Sequence, residues 1–61
     1  LYDNAHQFHF GLARAYFLGG NNRLAMKEMK RARDLGGDPM RAVYQSKLDG
    51  IRRLEARHAA R

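Results

Sequence analysis

Apolar residues recur at steps of three and four along three segments of this chain, and glycine pairs separate the segments. Such spacing places apolar side chains on one face of a helix. Gly19-Gly20 and Gly36-Gly37 interrupt the pattern, and paired glycines favour turns. The pattern therefore predicts an all-α fold of three antiparallel helices without strands. The predicted helices cover about residues 5–18, 22–35 and 39–58.

The residues that precede each predicted helix are suited to helix capping. Asp3 or Asn4 is expected to cap the first helix, and Asn21 or Asn22 the second, because short polar side chains accept hydrogen bonds from unpaired backbone N–H groups. Asp38-Pro39 marks the third helix, since proline is favoured at the first helical position.

The first predicted helix carries apolar residues on more than half of its circumference, which is more than one neighbouring helix covers. We therefore expect it to have two neighbours. One face carries Phe8, Leu12, Ala15 and Tyr16, and the second carries Phe10, Ala13 and Phe17.

The other two helices each carry one apolar stripe. The stripe of the second helix comprises Leu24, Ala25, Met29, Ala32 and Leu35. The stripe of the third comprises Val43 or Tyr44, Leu48, Ile51, Leu54 and His58. The residues expected to be buried together are Leu12, Tyr16, Ala25, Met29, Ala32 and Leu48.

The segment His6–Pro39 resembles a tetratricopeptide repeat, a two-helix unit of about 34 residues. The residues that carry the resemblance are Leu12, Ala13, Tyr16, Ala25, Met29, Ala32 and Pro39, with His9 where the family usually has Trp. Ala13 replaces the usual Gly, Met29 replaces an aromatic residue, and the closing Pro39 arrives late. The resemblance implies one repeat over about 6–39 and a C-terminal capping helix over about 39–58. Such a terminal helix gives a repeat array the polar outer face that its last repeat needs.

Length, charge and cysteine content indicate how stable the chain is and which partners it favours. A chain of 61 residues buries only about 60% of the surface that its unfolded form exposes, so stability should be marginal. It has no cysteine and a net charge of +6, with the basic residues concentrated in 23–33 and 41–61. A solvated outer face is the simpler explanation of this balance, and the alternative is an acidic partner such as nucleic acid, anionic lipid headgroups or an acidic peptide. No apolar run approaches the ~20 residues that cross a bilayer.

The sequence starts at Leu1 and lacks a basic-then-apolar leader. We therefore expect the single domain over 1–61 to be a piece of a longer protein. The sequence does not distinguish between the periplasm and the cytoplasm of a bacterium as its compartment.

Candidate catalytic residues are sparse. His6 and His9 have the i, i+3 spacing of metal ligands, but no carboxylate or Cys nearby in sequence completes a site. We interpret His9 as a packing residue and His6 as a surface residue. The sole serine, Ser46, has no evident base, and Gly19-Gly20 lacks the residues of a phosphate loop. The sequence predicts no catalytic residue, metal or cofactor, and so no enzyme activity in this segment.

A partner-binding surface is the stronger prediction. The tetratricopeptide resemblance implies a groove along the first helix, at Gln7, Phe10, Arg14 and Phe17. The spacing independently places Phe10 and Phe17 on one face with Arg14 between them, and exposed aromatic and Arg residues are typical interface hot spots. Alternatively, the two Phe residues pack against a preceding repeat or a second copy of the chain.

A weaker resemblance concerns the parent protein. The segments Ala-Arg-Asp-Leu-Gly-Gly at 32–37 and Tyr-Gln-Ser-Lys-Leu-Asp-Gly-Ile-Arg-Arg-Leu-Glu at 44–55 are similar to the C-terminal repeat region of periplasmic zinc metalloproteases. That resemblance implies only a binding role, since the zinc motif is missing from this sequence, and a free-standing scaffold or secretion accessory protein is an equal alternative.

The predicted function is therefore protein–protein interaction, with a peptide or helix of a partner protein as ligand. Nucleic-acid binding is the alternative, because Tyr44 lies among Arg41, Gln45 and Lys47. Against it, the aromatic residues concentrate on the first helix and the basic residues on the other two, so no face combines stacking with phosphate contacts.

Overall fold

A computed structural model describes residues 5–59, and within that range the chain forms three α-helices and no strand. The all-α prediction is confirmed. The third helix begins before the predicted Pro39, and the cap expected at Asp3 or Asn4 lies outside the described residues. The helices are α1 (Ala5–Leu18), α2 (Asn22–Leu35) and α3 (Gly37–Ala59).

The turn between α1 and α2 reverses the chain within three residues. The N–H of Asn21 donates to the carbonyl of Tyr16 (2.8 Å) and the N–H of Gly20 to that of Phe17 (3.0 Å), the hydrogen-bond pair of a Schellman motif. Gly20 has a φ of 85°, which glycine adopts without steric cost. The side chain of Asn21 then accepts from the N–H of Leu24 at 3.1 Å, so the predicted Asn21 cap is confirmed.

Glycines also allow α3 to follow α2 without a loop. The N–H of Gly36 donates to the carbonyl of Ala32 at 2.9 Å, and Gly37 has a φ of 71°. A Cβ at Gly36 would lie 2.9 Å from Cβ of Met40 and 3.0 Å from Cε2 of Tyr44. Only glycine therefore leaves room for the Tyr44 ring against the end of α2.

Side-chain pairs define the directions of the helices. Arg33 Nη1 donates to Gln45 Oε1 (2.8 Å) near the α2–α3 junction, and Asn22 Nδ2 donates to Glu55 Oε2 (3.2 Å) at the far end. These pairs make α2 and α3 antiparallel. Because the short turn also makes α1 antiparallel to α2, α1 and α3 run in the same direction.

Small side chains form much of the core. Ala13, Ala25 and Ala32 are 0% exposed, and small residues at a crossing allow two helix axes to approach closely. The only large side chain that is completely buried in residues 5–59 is Leu48. The buried apolar set is Ala13, Ala25, Met29, Ala32, Tyr44, Leu48 and Ile51.

Several core predictions need correction. Leu12 and Tyr16 are half-buried rather than buried, because the chain forms a thin body of 46 × 20 × 12 Å in which each helix keeps a side toward solvent. In α3, Tyr44 is the buried member of the Val43/Tyr44 pair. The predicted stripe residues that are exposed instead are Leu35, Val43, Leu54 and His58.

The close helix crossings predict that Ala25→Leu lowers the free energy of unfolding by about 1–3 kcal/mol through overpacking. Ala42→Leu is the matched control, because Ala42 is exposed on α3. Urea denaturation followed by circular dichroism measures both variants. Equal stability of the two variants would contradict the close packing at Ala25.

Candidate functional site

An open groove of ≈ 410 Å³ lies between α1 and α3, and Met29 of α2 contributes to its floor. Its volume is within the range of about 300–1,000 Å³ that is common for ligand sites. Most of its walls are apolar. The lining residues are Phe10, Ala13, Arg14 and Phe17 from α1, Met29 from α2, and Lys47, Gly50, Ile51 and Leu54 from α3.

Three of the four residues that the sequence places in a binding surface line this groove. Phe10, Arg14 and Phe17 lie along its α1 wall, and Phe17 is 37% exposed. Gln7 is exposed on α1 but is not part of the lining. The structure thus places the aromatic pair and the arginine together and leaves Gln7 outside.

The sequence analysis missed the α3 wall. Lys47, Gly50 and Leu54 follow one another at steps of three and four, which places them on one helix face. From that spacing alone, one could have predicted that these three residues share one face of α3. The spacing does not reveal which helix the face meets, because that depends on the packing of α3 beside α1.

Tyr44 joins the two walls at one end of the groove. Its side chain is 3% exposed, and a hydrogen bond of 2.7 Å links its hydroxyl with Nδ1 of His6. The Tyr44 ring centroid lies 5.5 Å from that of Phe10 and 5.8 Å from that of His6. His6 is therefore half-buried and bonded to α3, and its assignment as a surface residue is wrong.

The groove carries positive charge with no acidic residue in its lining. Lys47 Nζ lies 5.6 Å from the Phe10 ring centroid, within cation–π range. Within residues 5–59, neither Lys47 nor Arg14 forms an ion pair. The acidic side chains with polar partners elsewhere are Glu28, Asp34, Asp49 and Glu55. The two groove cations are therefore available to a ligand.

A second polar cluster links α1 to α2 behind the groove. His9 Nδ1 and Glu28 Oε1 are 2.6 Å apart, and Arg31 Nη1 lies 3.5 Å from Glu28 Oε2. Glu28 is only 6% exposed, and a buried carboxylate needs such partners. His9 is therefore a packing residue, as the sequence indicates, but its hydrogen-bond partner Glu28 was not predicted. The available signal was the position of Glu28 between Ala25 and Ala32 on one face of α2.

Neither a cluster of metal ligands nor a membrane-spanning helix occurs in residues 5–59. In residues 5–59 no three His, Cys, Asp or Glu side chains are grouped so that they could hold a metal ion. His6 and His9 use Nδ1 for different partners, Tyr44 and Glu28. None of α1, α2 and α3 combines the length and the apolar character that crossing a bilayer requires.

Comparison with known proteins yields no match to a family model, a curated protein or a solved structure. The tetratricopeptide resemblance therefore remains a prediction based on residues His6–Pro39.

The Tyr44–His6 bond predicts that Tyr44→Phe lowers the free energy of unfolding by about 0.5–1.5 kcal/mol, the usual net contribution of a hydrogen bond. Tyr16→Phe is the matched control, since Tyr16 is half-buried and its hydroxyl forms no hydrogen bond within residues 5–59. Urea denaturation of both variants measures the difference. A larger loss for Tyr16→Phe would contradict the role of the Tyr44 hydroxyl.

Proposed function

We propose that this chain is a protein-interaction module that holds a peptide or helix of a partner protein in the groove between α1 and α3. The observation that carries the proposal is the open apolar groove with Phe10 and Phe17 on one wall and Arg14 between them. Aromatic and Arg residues dominate binding energy in interfaces when they lie in packed, desolvated pockets. Gln7, one turn before Phe10, would contact the ligand outside the groove.

The resemblances support the same role. The tetratricopeptide resemblance implies that the first helix of the repeat faces a ligand, and α1 does provide one wall of the groove. The weaker resemblance to the repeat region of periplasmic zinc metalloproteases is compatible with a non-catalytic binding segment of a larger enzyme. A scaffold or secretion accessory protein as parent would use the groove in the same way.

Nucleic-acid binding is the alternative, and it relies on the basic residues of α2 and α3. Base stacking would need the Tyr44 ring, which lies among those basic residues. Tyr44 is buried and hydrogen-bonded to His6, so its ring is not accessible for stacking on a base. Salt dependence distinguishes the two functions, because phosphate contacts weaken steeply with salt and apolar groove contacts do not.

A peptide-display selection on the whole chain tests the proposal. For a selected peptide, we expect Phe10→Ala and Arg14→Ala each to weaken binding by about 1–3 kcal/mol, since both would remove hot-spot contacts. Arg52→Ala and Arg57→Ala on α3 should change mainly the association rate and its salt dependence. Titration calorimetry and stopped-flow fluorescence give these values.

The opposite pattern would contradict a groove site. If binding survives Phe10→Ala and is lost with Arg52→Ala or Arg57→Ala, the ligand contacts the basic outer surface. The nucleic-acid or acidic-surface alternative would then replace the groove.

Self-association through α1 is a further part of the proposal. Phe17 and Leu54 are each 37% exposed in the groove lining, and Phe8 is 64% exposed on the other face of α1. Exposed apolar patches mark interaction sites or aggregation-prone surfaces. Without a partner, a second copy of the chain can cover them.

Sedimentation velocity tests the self-association. We expect the wild-type chain to form a dimer or larger oligomer at high concentration, and the double variant Phe10→Ser with Phe17→Ser to stay monomeric, because it removes apolar surface from the contact. A well-folded wild-type monomer at every concentration would contradict self-association through α1.

A further inference from the structure

Gly50 lies in the interior of α3 and lines the groove, yet no contact within the described residues 5–59 requires a glycine there. Its φ is not positive. A Cβ built on Gly50 would meet only Arg53 Nη2, at 3.9 Å, an ordinary van der Waals distance. Gly36 is different, because a Cβ there would clash with Met40 and Tyr44. No atom of α1 or α2 lies within 4 Å of a Cβ at Gly50, so this position in the groove lining is open.

We infer that Gly50 is the specificity-determining position of the groove, and that the space left by its missing side chain receives a bulky apolar side chain of an acidic partner segment. The inference rests on the proposed function and names the class of ligand. Arg14 and Lys47 would bind carboxylates of the ligand on either side of that apolar anchor.

The walls around Gly50 are suited to an apolar anchor. The floor of the groove is formed by Ala13, Met29 and Ile51, which are all buried. Phe10 and Phe17 form the opposite wall. A large apolar side chain placed over Gly50 would therefore exchange water for apolar contacts on several sides, which is favourable in proportion to the area buried.

The charges specify the flanking residues of the ligand. Arg14 stands on the α1 wall and Lys47 on the α3 wall, and neither forms an ion pair within the described part of the chain. No lining residue is acidic. Carboxylates of a ligand would meet a cation from either wall, whereas basic ligand residues would be repelled by both cations and by the net charge of +6.

Fluorescence anisotropy with synthetic peptides tests the inference. The reporter is a fluorescein-labelled peptide in which one phenylalanine is flanked by glutamates. Two comparison peptides replace the phenylalanine by alanine or the glutamates by lysine. We expect the wild-type chain to bind the reporter at least about tenfold more tightly than either comparison peptide, as for loss of a hot-spot contact.

Two leucine variants distinguish a block of the groove from the general effect of replacing a glycine inside a helix. Gly50→Leu should weaken reporter binding at least about tenfold, because the new side chain occupies the anchor site. Gly11→Leu is the matched control. Gly11 lies inside α1 and outside the groove, and a Cβ there meets nothing within 4 Å. Both variants replace a helix-interior glycine, so both should keep the circular dichroism spectrum and a melting temperature at or above that of the wild type.

The outcomes separate the inference from the proposed function. If Phe10→Ala abolishes reporter binding and Gly50→Leu binds like the wild type, the groove function is supported and the role of Gly50 is overturned. If the wild-type chain binds all three peptides equally, or binds none of them, the proposed ligand class is overturned. The display selection then decides whether the groove binds other peptides. Reporter binding that survives Phe10→Ala overturns the groove as the site.

Discussion

The structure depends on α2, which packs against both α1 and α3, and the buried Tyr44 adds a direct contact between α3 and α1. The ring fits because Gly36 has no side chain, since a Cβ at that position would lie 3.0 Å from Cε2 of Tyr44. From there, Tyr44 hydrogen-bonds His6 and packs beside Phe10. Both α1 residues are thereby held next to a helix that lies far from them in sequence. Because α1 and α3 both pack on α2, the groove lies between them, and the Tyr44 contact ties its two walls together.

The small core explains why the groove remains open. Ala13, Ala25 and Ala32 allow close helix crossings but contribute little apolar surface, so the chain has one thin layer of buried residues. Within residues 5–59, no further helix covers the outer halves of α1 and α3. Phe17 and Leu54 remain partly exposed as a result, and the proposed function makes use of this same exposed surface.

The helix spans were predictable from sequence because their determinants are local. The Gly19-Gly20 break and the Asn21 cap act within a few residues, and the structure follows them. Burial was harder to predict where two neighbouring residues compete, as with Val43 and Tyr44, because the orientation of α3 decides which one faces the core. Glu28 was missed for a related reason, since its partner His9 lies on another helix. The α1 wall of the groove followed from the spacing of Phe10 and Phe17, whereas the α3 wall depends on tertiary packing.

The methionines offer the most direct test of whether a ligand occupies the groove. Met29 lies in the floor of the groove, and Met26 and Met40 pack against the core outside its lining. With ¹³C-labelled methionine methyl groups, NMR titration with a bound peptide should shift the Met29 signal and leave those of Met26 and Met40 nearly unchanged. An unchanged Met29 signal at saturating peptide would contradict binding between α1 and α3.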